Sequence, residues 1–112
     1  MKKIEAVIRG SKVEAVKAAL HEVGVHGITA YEVKGFGRQR GHKEFYRGSE
    51  FEVDFVPKTK LEILASDEQT PRILAALTEA ARSGKIGDGK IFVTTLEEVV
   101  RIRTGETGEA AL

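Results

Sequence analysis

The chain has 112 residues, with 18 Lys and Arg against 17 Asp and Glu for a net charge of +1, no cysteine and three histidines. That length fits one domain with one modest core, to which oligomerisation would add. The near-neutral balance argues against a protein that coats nucleic acid or an acidic membrane, so any anion site is local; the missing cysteines exclude disulfides, thiolate metal sites and thiol nucleophiles, and make a cytoplasmic setting the default.

The opening "KKIEAVIR" alternates, with Ile4, Ala6 and Ile8 on one side and Glu5, Val7 and Arg9 on the other, the period of a half-buried strand. "MKKIEAVIRG" is too short and too charged for a signal peptide, and no apolar run approaches the ~20 residues of a membrane span. Ser11 and Glu14 form an S-x-x-E capping box, which predicts a helix with Val13, Val16, Leu20 and Val23 inward and Gly24 as its stop. His21, His26 and His42 show no paired helical spacing, which favours packed or solvated rings over metal ligands.

"GITAYEVKGF" is β-rich and runs into "RQRGHKEFYRGSEF", residues 38–51. That stretch is too charged for a buried strand, too rich in glycine for a helix, and longer than an ordinary hairpin connection. Alternation resumes at Phe51, Val53 and Phe55, and after Pro57 at Leu61, Ile63 and Ala65; Pro57 cannot donate to a ladder and marks an edge or irregularity. Asp67 and Glu68 open a second helix, where they complement its dipole, with Pro71 in the first turn and Ile73, Leu77, Ala80 and Ala81 buried. "GKIGDGK" follows, then the apolar β run "IFVTTL", a short "VVRIR" and a polar tail.

The order is β-α-β-β-α-β, a ferredoxin-like α+β arrangement with an antiparallel sheet covered on one face by two helices. Several strands are apolar on both sides, which predicts that the second face is buried too, most simply against copies of itself.

"GKIGDGK" nearly matches the phosphate-loop pattern, but Ile91 replaces the Ser or Thr that would bind magnesium, and the segment runs from helix into strand, the reverse of a P-loop. Its physical logic survives: three glycines let successive N–H groups approach phosphate oxygens, with charge from Lys85 and Lys90. Read as an extended segment, "RIR" sends Arg101 and Arg103 to one side and Ile102 to the core, giving two guanidinium forks suited to a nucleotide polyphosphate. "KGFG", Lys34 to Gly37, begins like the RNP1 motif of RNA-recognition domains, but Arg38-Gln39-Arg40 stand where aromatic and apolar residues are required, so the stacking platform is missing and the two glycines hinge the loop instead. Ser49 and Ser83 have no placed histidine and carboxylate, so a ligand-binding protein is favoured over an enzyme.

Together, "HGITAYEVKGFGRQRGH", "YRGSEFEVDFVPKTKLEI", "SGKIGDGKIFV" and "RIRTGE" resemble the PII nitrogen-regulatory signalling proteins, in order, in register and over nearly the whole chain. The resemblance implies a single domain, a homotrimer, and three nucleotide sites between neighbours where ATP and ADP compete. It names a T-loop at about 37–55, a B-loop at about 82–90 and a C-terminal loop at about 101–112. It places the phosphates near Gly37, Arg38, Gly87, Asp88, Gly89 and Lys90, with Arg101 and Arg103 from the neighbouring subunit, and the base near Val7, Thr29, Gly35, Glu62 and Leu64. The implied effector is 2-oxoglutarate beside Mg2+-ATP: Gln39 in the magnesium shell, Lys58 on the distal carboxylate, and the backbone of Gln39, Arg40 and Gly41 with Gly87 around it. Implied partners are an ammonium channel, N-acetylglutamate kinase or regulators of glutamine synthetase. A small ATP-using enzyme and a ferredoxin-like RNA-binding module are the rival readings.

The chain departs from the family pattern at Gly10, where many relatives have proline, and at Phe51, where many bacterial relatives carry the tyrosine that is uridylylated. Phenylalanine has no hydroxyl to accept a nucleotidyl group. Ser49 matches the residue phosphorylated in cyanobacterial relatives, and "RGS" alone is too short to claim that modification.

Overall fold

A computed structural model describes the backbone of residues 1–37, 43–46, 49–52 and 55–112, and the side chains of residues 1–37 and 55–112. Strands β1 (Lys2–Ile8), β2 (Thr29–Gly35), β5 (Val56–Ala65) and β6 (Lys90–Thr95) form one antiparallel sheet in the order β2-β5-β1-β6. Helices α1 (Val13–Glu22) and α2 (Thr70–Ala81) pack together across one of its faces. This is the expected ferredoxin-like α+β fold.

The core follows from period. Ile4, Ala6 and Ile8 of β1 and Leu61, Ile63 and Ala65 of β5 alternate onto the helix-covered face, where they meet Val16 and Leu20 of α1 and Ile73, Leu77 and Ala81 of α2. Val13, Val23 and Ala80 pack at its margin. Gly24 ends α1 with φ at +90°, a left-handed conformation that glycine adopts without the clash a Cβ would bring.

Both helix starts differ from the sequence reading. Residues Gly10–Lys12 wind into a 3-10 turn, closed by the Lys12 N–H on the Arg9 carbonyl, so the cap position passes from Ser11 to Lys12 and no side chain caps α1. Glu14 pairs instead with Lys17 at 3.4 Å. In the turn that leads into α2, Ser66 and Gln69 bind each other as in a capping box, the Gln69 N–H donating to Ser66 Oγ at 3.2 Å and Gln69 Oε1 accepting from the Ser66 N–H at 3.4 Å, while the cap position of α2, Gln69, has no side-chain cap. Asp67 does not serve the helix; it binds the N-terminal ammonium of Met1 at 3.0 Å, which holds its carboxyl below the ordinary range.

Two further strands, β3 (Lys43–Tyr46) and β4 (Ser49–Glu52), pair antiparallel inside the segment read as an irregular loop. Phe51 therefore belongs to this separate ladder, and Phe55 lies outside any strand. Pro57 sits where expected: it pairs with Lys34 of β2, while the pairing of β1 with β5 stops at Thr59, so no ladder on the β1 side needs its missing N–H. The "RIR" reading fails. Residues 101–104 form a turn, closed by the Gly105 N–H on the Arg101 carbonyl at 2.7 Å, and Ile102 is 98% exposed rather than in the core. The bridge from Val100 to Thr107 makes the chain double back there, and that reversal removes the extended geometry.

The second sheet face carries Tyr31, Leu64 and Phe92, all substantially exposed, around a charged centre. Glu5 is only 8% exposed and is flanked by Lys3 at 3.0 Å and Lys60 at 3.7 Å. The hydrogen bond from Lys3, with the field of Lys60, holds the Glu5 carboxyl below its usual range. Lys60 lies 5.6 Å from the Tyr31 ring centroid and 5.8 Å from that of Phe92, and the Tyr31 hydroxyl donates to Glu62. No helix among the described residues is long and apolar enough to cross a membrane.

Candidate functional site

The chain from α2 to β6, residues 82–89, crosses the end of β1 and has its shape set by three constraints. First, Gly87 and Gly89 take φ of +104° and +94°. Second, Gly89 passes so close to β1 that a Cβ there would stand 1.7 Å from the Val7 carbonyl oxygen, so only glycine fits. Third, the Asp88 carboxylate turns into its own loop. It accepts the N–H groups of Ser83 and Gly84, each at 2.9 Å, the Ser83 hydroxyl, and Arg9 Nε at 3.1 Å. These bonds, led by that of the Ser83 hydroxyl, hold its carboxyl far below the ordinary carboxylate range.

With Ser83 and Gly84 satisfied by Asp88, the amides of Ile86, Gly87, Asp88 and Gly89 have no acceptor among the described residues. Gly87, Asp88 and Gly89, with Lys85 and Lys90, line a cleft of about 880 Å³ whose other wall is Val7, the end of β2 at Gly35, Phe36 and Gly37, and Val56, Lys58 and Phe92. Its size suits a nucleotide-sized ligand. Lys58 donates to the Gly87 carbonyl across the cleft, and burial, with the nearby Arg9 charge, pushes its ammonium below the ordinary lysine range while Asp88 opposes that shift. Consecutive amides that lack an acceptor among the described residues, beside lysines, make a donor set that suits phosphate or carboxylate. The exposed rings of Phe36 and Phe55 meet edge to face, 6.2 Å apart, where β2 leaves the sheet.

Of the residues expected at a nucleotide site, Val7, Gly35, Gly37, Lys58, Gly87, Asp88, Gly89 and Lys90 line this cleft. Thr29, Glu62 and Leu64, expected with Val7 and Gly35 near the base in a cleft between neighbouring subunits, do not line this cleft of the single chain. They line a separate depression of about 1160 Å³, together with Arg101. Thr29 and Glu62 are register partners on β2 and β5, whereas Val7 faces Lys60 and Lys90. Arg101 is engaged: it donates to Glu106 at 3.0 Å and to the Leu112 carbonyl at 3.0 Å. Arg103 lines neither cavity. Arg38, Gln39, Arg40 and Gly41 lie outside the described residues, and of Ser49 and Phe51 only the backbone, in β4, is described. Among the described residues no group of three His, Asp or Glu side chains could hold a metal ion.

Sequence reasoning missed Arg9, Ser83 and Phe92. Arg9 carries no local pattern, since it meets Asp88 across 79 positions of chain, whereas Ser83 lies only five positions from Asp88 in the same loop. The "KGFG" segment ends the edge strand β2 instead of crossing the sheet centre, so it offers no stacking platform for RNA.

Comparison with known proteins identifies the family. The family model "Nitrogen regulatory protein P-II" matches residues 1–106. Curated relatives named nitrogen regulatory protein P-II align over all 112 residues and over their own full length: one from Azospirillum brasilense at 60% identity, one from Rhizobium meliloti (strain 1021) at 58% and one from Rhodospirillum rubrum at 56%. The chain therefore belongs to the nitrogen regulatory protein P-II family, and its work is nitrogen-regulatory signalling rather than catalysis.

Proposed function

We propose that this chain acts as a trimeric sensor that binds ATP or ADP together with 2-oxoglutarate and reports through the 37–55 loop to nitrogen-assimilation proteins. The observation that carries the reading is the cleft that residues 87–89, whose amides have no acceptor among the described residues, line together with the root of that loop at Gly35–Gly37. A phosphate chain laid there would meet backbone donors with Lys90. A dicarboxylate would meet Lys58, whose ammonium is now spent on the Gly87 carbonyl. Mg2+ would arrive on the nucleotide phosphates and take Gln39 as its protein ligand.

Two features favour a site shared between copies. Thr29, Glu62, Leu64 and Arg101 gather in a depression apart from the glycine loop, so one chain carries two half-sites that a neighbour could complete. The second sheet face is apolar at its edges and charge-compensated at its centre, which suits burial against other copies. Ligand at the root would fix the loop's departure from β2, and partners that need another loop shape would dissociate; the coupling is reciprocal, so such partners weaken 2-oxoglutarate in equal measure. The partner class is an ammonium channel, N-acetylglutamate kinase or a regulator of glutamine synthetase, and the setting is the cytoplasm.

Titration calorimetry with sedimentation tests the proposal. Heat from 2-oxoglutarate should appear only with Mg2+-ATP present, on a species of trimer mass. Binding of 2-oxoglutarate without ATP, or a monomer at working concentration, would refute it. Gln39→Ala should retain some ATP binding and lose the magnesium-linked response to 2-oxoglutarate.

A further inference from the structure

We propose that Arg9 is a positioning residue for the glycine loop: its two-armed hold on Asp88 and on the Ile86 carbonyl sets which loop amides face the cleft. For the ligand's identity this rests on the nucleotide reading above. For the loop's geometry it rests on the contacts alone.

Arg9 follows the last residue of β1 and reaches across the loop. Its Nε donates to Asp88 at 3.1 Å and its terminal nitrogen to the Ile86 carbonyl at 2.7 Å. The side chains of Arg9 and Asp88 are 22% and 24% exposed, so water screens this pair only in part. The second arm fixes direction. The Ile86 carbonyl and the Gly87 N–H belong to one planar trans peptide and point opposite ways, so drawing the carbonyl to Arg9 turns the Gly87 N–H away from it. Gly87 lines the cleft and Arg9 does not.

The first arm fixes charge. Asp88 is needed inside the loop to hold the Ser83 and Gly84 amides, but a bare carboxylate beside an anion site repels the ligand. Arg9 neutralises it without entering the cleft. Lysine would supply the charge without the fixed fork that spans two acceptors. Arg9 is thus distinct from Lys58 and Lys90, which line the cleft themselves.

The full-length chain tests this with two readouts. In ligand-free protein, Arg9→Gln should speed hydrogen exchange at the Ser83 and Gly84 amides while leaving the central β1 amides unchanged. With Mg2+-ATP as probe, its Kd should rise about tenfold, the order expected when a preorganised donor set must be reordered on binding. Arg9→Lys should fall between wild type and Arg9→Gln in both readouts. Unchanged exchange in Arg9→Gln, or faster exchange with ATP affinity within twofold of wild type, would overturn the proposal. So would Arg9→Lys indistinguishable from wild type, because the fork would then be unnecessary. If wild type binds no ATP, the nucleotide reading falls and the exchange readout still judges the role of Arg9.

Discussion

Replacing Gly89 with alanine isolates the constraint that shapes the site. A non-glycine residue at the observed φ of +94° carries a strain of about 1–2 kcal/mol. The new Cβ would also lie 1.7 Å from the Val7 carbonyl oxygen, where ordinary contact begins at 3.4 Å, so the loop and β1 must separate by roughly half of ordinary contact. Val7 is the last register partner of β6, facing Lys90, so that separation breaks the end of the ladder and frees backbone groups worth about 1 kcal/mol each. With two such groups freed the sum is about 3–4 kcal/mol, a large part of the 5–15 kcal/mol typical of a domain. Gly84→Ala is the control: its φ is +85° but nothing lies within 4 Å of its Cβ, so it should lose only the strain, about 1–2 kcal/mol. Urea denaturation of both variants at one protein concentration, with ATP titration of the folded protein, reads the difference. If Gly89→Ala unfolds within about 0.5 kcal/mol of Gly84→Ala, the close approach to Val7 is not what the sequence must satisfy there.

Three other outcomes follow from the same contacts. The Asp88 carboxyl is depressed in the folded chain, so its contribution is full above its unfolded value, near 4, and is lost as pH falls toward the folded value; wild type should therefore lose stability below about pH 4 more steeply than Asp88→Asn in acid titration followed by circular dichroism. Arg101→Ala with Arg103→Ala should weaken ATP binding, by about 1.5–3 kcal/mol for each charge-assisted contact made, and the Arg101 change should also loosen the 101–112 segment by removing its bonds to Glu106 and Leu112, visible as faster proteolysis there. Leu77→Ala empties a fully buried position between α2 and the sheet and should cost about 2–5 kcal/mol in urea denaturation.

The fold was legible wherever one face of an element is buried. Ile4, Ala6, Ile8 and Leu61, Ile63, Ala65 announce their strands because a period of two has only one packing solution, and Gly24 and Pro57 mark backbone constraints that few residues satisfy. Caps were harder, because Ser-x-x-Glu at 11–14 and Ser-x-x-Gln at 66–69 look alike in sequence and the 3-10 turn at Gly10–Lys12 decided between them. Asp67 looked like a dipole partner until the fold brought the Met1 ammonium to it. In "VVRIR", alternation suggested a strand, but the Val100–Thr107 bridge folds the segment back, a pairing that no local period encodes. At the site, the glycines and lysines of "GKIGDGK" were readable as donors. The Asp88 carboxylate that spends some of the loop amides, and the Arg9 that steadies it, depend on tertiary geometry.

The partnering of β5 has a mechanical consequence. From Thr59 to Glu62 the strand is gripped on both sides, by β1 and β2, but at Val56–Lys58 its register partners lie on β2 alone, at Gly35, Lys34 and Val33. The four-stranded sheet is thus a fixed bench, and the short two-stranded ribbon that carries both Lys58 and the departure of the 37–55 loop is a cantilever clamped to it. A load applied at Lys58 would bear on the cantilever before it reached the bench. Two-stranded ribbons twist more freely than broad sheets, so the bending falls on the segment best able to absorb it.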